Sequence, residues 1–464
     1  MRGVVSVHYN KYGFGYYIPP RAGQEVSLQT YELIAPCHFG MESVVKNEIY
    51  DLGYEITDVS DGRVTFLGDA DAIARANIGL RTAERILLKV GQFEAKTWEE
   101  LFQGTYALPW EDFLPCDARF WVTKASSVKS ALFSPSDIQS VMKKAMVEKM
   151  KTRYHLAVFP EDGDAYPVRV FLMKDQVTAA IDTSGESLHK RGYRRMAVKA
   201  PIAENLAAGL ILLTPWRGDR ILVDPFCGSG TIPIEAAMIA ANIAPGMHRH
   251  FTAEHWTGLI DKRYWKDARE EAEDMVDLSI ETDIQGYDID PDAIAAARAN
   301  AAQAGVSSLL HLQVRPVDQL SHPKKYGFII TNPPYGERIA SFTPGSNAPR
   351  SVAETRAERE ATAGRSILHD GLRPVRDTSS AAAARRSGKD ALPDAPAEIA
   401  ALYRTLGERF RGLDSWSLYL ITSYEDCERQ LGMHASKNRK IYNGMLRTYF
   451  YQFPGPKPPK RSSR

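Results

Sequence analysis

The stretch Ile221-Leu-Val-Asp224-Pro-Phe-Cys227-Gly228-Ser-Gly230-Thr231 constrains this chain more than any other. Three apolar residues of β character run into a Gly-rich turn, and Ile232-Pro-Ile-Glu235-Ala-Ala opens a helix directly after it. Glycines let the backbone approach a ligand closely, and the first N–H groups of a helix favour its polar part. The spacing is not GxxxxGK[ST], which disfavours a nucleoside-triphosphate loop. A Gly-rich turn also closes strand–helix junctions that bind nothing. The neighbours of the turn therefore decide its meaning.

They continue the pattern. Strands read at Ile221–Val223, Ile284–Tyr287, Leu309–Val314, Phe328–Thr331 and Trp416–Thr422 alternate with helical stretches. That alternation predicts a parallel sheet with helices on both faces, over residues 184–453. The second strand ends in Gly286-Tyr287-Asp288-Ile289-Asp290-Pro291. A carboxylate at that strand tip is where doubly wound folds hold a ribose, so Asp288 fits the role. Asp290, just before a proline in the first helical turn, reads as an N-cap. The turn-to-acid gap is lengthened by residues 242–283, which carry His248, His250 and His255. No cysteine or carboxylate cluster accompanies these histidines, so they read as loop residues and no metal is expected. The fourth strand stops in Asn332-Pro333-Pro334-Tyr335-Gly336. Proline fixes its own φ and holds the preceding residue extended. Such a loop can set the Asn332 amide and the Pro333 carbonyl to accept from an exocyclic amine, with the Tyr335 ring available for stacking. Taken alone, it also reads as a strand-ending turn with a core aromatic.

Upstream, residues 1–30 read as an extension rich in Gly and Tyr, without a period. Residues 31–92 read as a small α+β unit and 93–183 as a second one. In the second, Lys124 and Lys129 lie on a strand and the loop after it. Lys143 and Lys144 lie on a helix expected from about Ser136 to Met150. These lysines read either as a solvated face or as a phosphate-contacting one. Residues 340–397, rich in Ser, Ala, Arg, Pro and Gly, are expected to form a disordered insertion. Residues 454–464 read as a basic tail.

Composition enters by exclusion. Lys+Arg 58 against Asp+Glu 57 rules out a bulk polycation, so any nucleic-acid contact must come from local patches. No apolar run reaches the ~18 residues of a membrane span, and the N-terminus lacks a signal-peptide pattern. The four cysteines, Cys37, Cys116, Cys227 and Cys427, form no CxxC pair. Neither a zinc ribbon nor a disulfide framework is indicated, which fits a reduced, cytoplasmic chain.

Together, Asp-Pro-Phe-Cys-Gly-Ser-Gly-Thr, Asp-Ile-Asp-Pro and Asn-Pro-Pro-Tyr-Gly resemble the class I S-adenosylmethionine-dependent N-methyltransferases. Leu188-His-Lys-Arg191-Gly-Tyr-Arg194, Ala200-Pro-Ile-Ala-Glu-Asn-Leu-Ala and Lys437-Asn-Arg-Lys440-Ile-Tyr442-Asn443-Gly444 narrow the resemblance. They point to the bacterial THUMP-domain methyltransferases that modify guanine N2 in 23S ribosomal RNA, over roughly residues 31–453 outside the insertion. The resemblance implies a Rossmann-like methyltransferase domain preceded by α+β ferredoxin-like (31–92) and THUMP (93–183) domains. In some members a second methyltransferase follows, and this chain is too short to include one. The insertion after the catalytic loop departs from the family pattern.

By that resemblance, Asp224, Phe226, Gly228, Gly230 and Ile289 line the cofactor, and Asp288 takes its ribose hydroxyls. Asp318 meets the adenine amine, with Gln319 the substitute. Asn332, Pro333, Pro334 and Tyr335 form the target-base site. Lys124, Lys129, Lys143, Lys144, Arg191 and Arg194 are candidate RNA contacts, and 23S rRNA or a precursor of the large subunit is the expected partner. The implied reaction is direct methyl transfer to a flipped-out guanine, without a metal or a covalent nucleophile. Three alternatives remain: a tRNA guanine-N2 methyltransferase, a DNA adenine-N6 methyltransferase, and a non-catalytic RNA-binding or ribosome-assembly factor.

Overall fold

The computed structural model describes residues 8–9, 15–16, 29–194, 202–335, 397–444 and 446–459. Apart from a short antiparallel pair, β1 (His8–Tyr9) and β2 (Gly15–Tyr16), the extension expected at 1–30 lies almost wholly outside these residues. So does the insertion expected at 340–397, except Ala397, and the tail beyond residue 459.

The N-terminal half runs β3 (Tyr31–Pro36), α1 (Glu42–Asp51), β4 (Ile56–Ser60), β5 (Arg63–Gly68), α2 (Ala70–Gly79) and β6 (Leu87–Glu94). It continues α3 (Trp98–Ala107), β7 (Arg119–Val128), α4 (Pro135–Tyr154), β8 (Ala165–Met173) and β9 (Gln176–Asp182). The helix starts follow local chemistry. Asp69 accepts from the Ala72 amide to cap α2, and Thr97 and Glu100 form a capping box on α3. All seven strands join one sheet in the order β4-β5-β3-β6-β9-β8-β7. The two stretches expected as separate units are thus stitched by β6 and β9, which pair Leu88 with Ile181 and Phe93 with Val177.

The second half runs α5 (Glu204–Leu212), β10 (Leu222–Asp224), α6 (Thr231–Ala240), α7 (Lys262–Asp274), β11 (Ile284–Asp288), α8 (Pro291–Gln303), β12 (Leu310–Val314) and β13 (Phe328–Thr331). After it come α9 (Ala397–Arg411), β14 (Ser417–Thr422), α10 (Cys427–Leu431), β15 (Lys437–Asn443) and β16 (Leu446–Phe453). Its sheet has the order β12-β11-β10-β13-β14-β16-β15. The pairs from β12 to β14 are parallel, and β16 runs antiparallel to both β14 and β15. The chain moves outward in one direction from β10 to β12, then returns to the other side of β10 with β13. That reversal at β10/β13 is a topological switch point, and its carboxyl edge is where open α/β sheets bind ligands.

The long segment between α6 and β11 joins the halves. Trp256 stacks on Tyr166 of β8, with ring centroids 4.6 Å apart. On α7, Glu271 meets Arg75 of α2 at 2.8 Å. His248, His250 and His255 in this segment are exposed.

Candidate active site

The carboxyl edge is built from the backbone outward. β10 ends at Asp224, which is 1% exposed. Its Oδ1 accepts from the Phe226 amide at 3.1 Å and from the Thr331 hydroxyl at 2.6 Å, tying the Gly-rich turn to the end of β13. Gly230 caps α6 at φ +84, and an added Cβ would stand 2.9 Å from the Ala297 Cβ on α8. Both the left-handed backbone and the close helix approach demand glycine there.

Asp288 closes the turn from β11. Its Oδ2 accepts from the Gly228 amide at 2.9 Å and its Oδ1 from the Asp290 amide at 3.0 Å, and burial raises its carboxyl pKa. Asp290 does separate work, accepting from the Asp292 amide at 2.9 Å as the N-cap of α8. Between them, Ile289 is 63% exposed at the sheet edge. Asp318 and Gln319 are both exposed in the single turn Val317–Gln319 after β12. In the Gly-rich turn, the buried Ser229 hydroxyl has no hydrogen-bond partner among the described residues.

Burial pushes the Asp224 carboxyl up to about 7, with the nearby Asp288 adding to the rise. In the unfolded chain an Asp ionises near ~3.9. The folded protein therefore holds an extra proton between about pH 4 and 7, so this group's contribution to stability is present in acid and lost as pH rises through that window. We predict that Asp224→Asn flattens the pH dependence of the denaturation midpoint there, by a slope of up to ~1.4 kcal/mol per pH unit. Parallel curves for the two proteins would refute it.

The fourth strand delivers the other half of the edge. Thr331 is fully buried, and Asn332 follows at the strand end. The Asn332 amide oxygen is buried and has no hydrogen-bond partner among the described residues. Leaving such an acceptor unpaired costs about 1–3 kcal/mol. Such an acceptor is completed in a native protein by an ordered water, an ion or a ligand. Pro333 is buried and Pro334 half-buried. Tyr335 is only 4% exposed, so its ring is already covered in this state. Stacking of a base on Tyr335 requires that cover to shift. Cys227 is buried and its thiol is driven well above the usual range by burial, which keeps it from acting as a thiolate.

The candidate RNA contacts divide. Lys124, Lys129 and Lys144 are exposed. Arg191 is not available: it is 5% exposed, its Nε lies 3.3 Å from Glu235 Oε1, and its Nη atoms donate to the Leu188 and Arg81 carbonyls. Arg194 is likewise engaged, donating to the Ile202 carbonyl at 2.8 Å and the Thr231 hydroxyl at 2.9 Å, and pairing with Glu204. Lys143 donates to the Phe120 carbonyl and to Glu161, over the Phe120 ring. Each of the three already holds protein partners, as a buried or half-buried cation must in place of water. Thr331 went unrecognised in the sequence, since its bond to Asp224 spans two strands distant along the chain.

Three family patterns cover the chain. The RlmL ferredoxin-like domain matches residues 32–87, the THUMP domain 95–182, and the RMKL-like methyltransferase domain 191–368. Among curated proteins, YpsC of Bacillus subtilis (strain 168), named as a candidate RNA methyltransferase, is 40% identical over 92% of this chain and 96% of its own length. The ribosomal RNA large subunit methyltransferase K/L of Desulfotalea psychrophila is 32% identical over 67% of this chain; the match spans 44% of that longer protein. Among solved structures, a possible methylase from Clostridium difficile 630 superposes with TM-score 0.77 at 44% identity, covering 93% of this chain and 100% of that one. SMU.472, a candidate methyltransferase complexed with SAH, gives 0.75 at 38% identity, covering 93% and 100%. A protein described as a predicted N6-adenine-specific DNA methylase from Listeria monocytogenes gives 0.75 at 39%, covering 92% and 97%. The chain belongs to the RMKL-like methyltransferase family, in its form with RlmL ferredoxin-like and THUMP domains ahead of the methyltransferase domain.

Proposed function

We propose that this protein transfers a methyl group from S-adenosylmethionine to the exocyclic N2 amine of a guanine in 23S ribosomal RNA. The carrying observation is the buried Asn332 oxygen at the end of β13, beside the switch point, which has no hydrogen-bond partner among the described residues. An exocyclic amine is the group that completes such an acceptor. The THUMP match and the name of the K/L relative support RNA, and within RNA the large ribosomal subunit. The name of the Listeria neighbour favours a second reading, adenine N6 in DNA, which would use the same acceptor.

The residues at the edge fit the cofactor. Asp288 has a half-buried carboxylate at the strand tip for the ribose, Ile289 offers an exposed apolar side chain for a flat base, and the Ser229 hydroxyl has no partner among the described residues. When bound, the cofactor supplies a methyl already activated by its sulfonium. What the chain supplies is orientation. Asn332 Oδ1 and the Pro333 carbonyl accept the amine's two hydrogens, and Pro333 and Pro334 fix the loop that aims the nitrogen. With both amine hydrogens held, the nitrogen lone pair would be turned toward the methyl that the cofactor would supply, and the nitrogen would then release one of those hydrogens as a proton.

Replacing Asp288 with Ala should weaken cofactor binding about ten- to a hundredfold, the worth of charged hydrogen bonds at ~1.5–3 kcal/mol. Calorimetry reads this directly, and undiminished affinity in a folded variant would move the ribose acid elsewhere, Asp290 first. The substrate is tested by methyl transfer to deproteinised 23S rRNA, tRNA and DNA in parallel, followed by nucleoside analysis. N2-methylguanosine from 23S rRNA is expected; N6-methyladenine from DNA would establish the second reading instead.

A further inference from the structure

The β15–β16 hairpin overhangs the active edge of its sheet. Thr331 lies level with Leu420, and Leu420 with Tyr451. The last pair between β14 and β16 is Thr422 with Tyr449, yet the hairpin closes three residues later, at Asn443 with Leu446. Measured from the level of Thr331 and Tyr451, Leu446 is five residues further on, so at ~3.3 Å per residue the tip stands ~16 Å beyond the edge from which Asn332 emerges, and three strand spacings, ~14 Å, to one side. That offset is the span of a few stacked nucleotides at ~3.4 Å each.

One face of the overhang has a repeating chemistry. Lys440 pairs with Tyr449 and Tyr442 with Arg447, so all four side chains share a face. Lys440 and Arg447 are exposed, while Tyr442 and Tyr449 are half-buried. The Lys440 ammonium lies 5.0 Å from the Tyr442 centroid and the Arg447 guanidinium 5.8 Å from that of Tyr449. Tyr449 and Phe226 of the Gly-rich turn both pack against the same hydrophobic cluster. The hairpin is also braced by the N-terminal half. Arg439 donates to the Gly40 carbonyl at 2.7 Å, the His38 ring bonds the Tyr442 carbonyl at 3.1 Å, and Phe39 meets Tyr442 edge-on at 6.2 Å. The acid facing these cations is Glu425, 3.8 Å from Arg447 in an open surface pair that a phosphate can replace at little cost.

We propose that this face is a platform for the single-stranded RNA flanking the target nucleotide, with Lys440 and Arg447 on its phosphates and Tyr442 under a neighbouring base. Interleaved cations and aromatic rings on a rigid ribbon are the chemistry by which single strands are held without sequence readout. The inference rests on RNA being the substrate, so its test reads RNA binding apart from methylation. Anisotropy of an unstructured labelled RNA oligonucleotide would be followed against salt for the parent protein, K440E/R447E, Y442A and Y442F. The charge reversal should weaken binding at least ~tenfold and lower the log–log salt slope by about 1.4, two phosphates at ~0.7 each. Y442A should weaken binding with the slope unchanged, and Y442F should restore it. Cofactor affinity should stay at the parental value throughout, and the melting temperature should do so in K440E/R447E and Y442F; Y442A also loses its Phe39 contact, so its binding is read at a temperature where it is folded. Parental RNA affinity and slope in a folded K440E/R447E would overturn the platform. A parent that binds no RNA would overturn the platform and the RNA reading together. Weakened binding in K440E/R447E, alongside a methylated base other than guanine, would leave the platform standing and remove only the guanine assignment.

Discussion

An Asn332→Ala protein should fold, bind cofactor as the parent does, and lose methyl transfer by on the order of a hundredfold or more. The loss follows from position: displacing a reacting group by about 1 Å can cost that much. The same substitution removes an acceptor that is buried and unpaired among the described residues, so the folded state should not suffer from its absence. Removing an unsatisfied polar group relieves a desolvation cost of about 1–3 kcal/mol, so the melting temperature should hold or rise. Lost activity with undiminished stability is the signature of a residue kept for a ligand. Near-parental turnover, or a lower melting temperature, would mean that Asn332 serves the fold instead.

The largest expected effect on stability lies at the junction of the two halves. Arg191 and Glu235 are 1% and 0% exposed as side chains, and Tyr193 donates to Glu235 at 3.0 Å. Arg191→Ala leaves the Glu235 charge buried, together with the Leu188 and Arg81 carbonyls the guanidinium served. Breaking one side of a buried pair costs about 3–5 kcal/mol, and replacing both sides by apolar residues often costs little. The denaturation midpoint should therefore fall sharply in Arg191→Ala and recover in Arg191→Met/Glu235→Leu. A midpoint unmoved by Arg191→Ala would show that water reaches the pair. A double variant no better than the single would show that the hydrogen bonds, rather than the charges, carry the stability.

Much of the catalytic half was legible because its signals are local. Three of the parallel strands end at the residues that carry the chemistry: Asp224 and Asp288 close β10 and β11, and Asn332 follows β13. Fold signal and site signal coincide there. The N-terminal sheet was half legible. Its strands and caps could be read, but the pairing of β6 with β9 joins residues some ninety apart, and no local pattern encodes it. The β15–β16 hairpin was missed as structure for another reason. Lys437-Asn-Arg-Lys440-Ile-Tyr-Asn443-Gly444 is mostly polar, and only Ile441 of β15 is buried, so the period-two apolar signal of a strand is nearly absent. Asn-Gly was the one turn signal present. The partners of Arg191, Arg194 and Lys143 were not legible, because charge in a sequence says nothing about burial. A cation looks the same in sequence whether it awaits a phosphate or already holds a carboxylate.

The most direct measurement is nucleoside mapping of 23S rRNA and tRNA from cells with and without the gene, by mass spectrometry, with restoration by the parent and by the Asn332→Ala variant. The predicted result is one N2-methylguanosine in 23S rRNA that disappears on deletion, returns with the parent, and does not return with Asn332→Ala. A 23S rRNA with every N2-methylguanosine intact in the deletion strain would contradict the account, and a missing guanine methyl in tRNA instead would keep the chemistry and change the substrate.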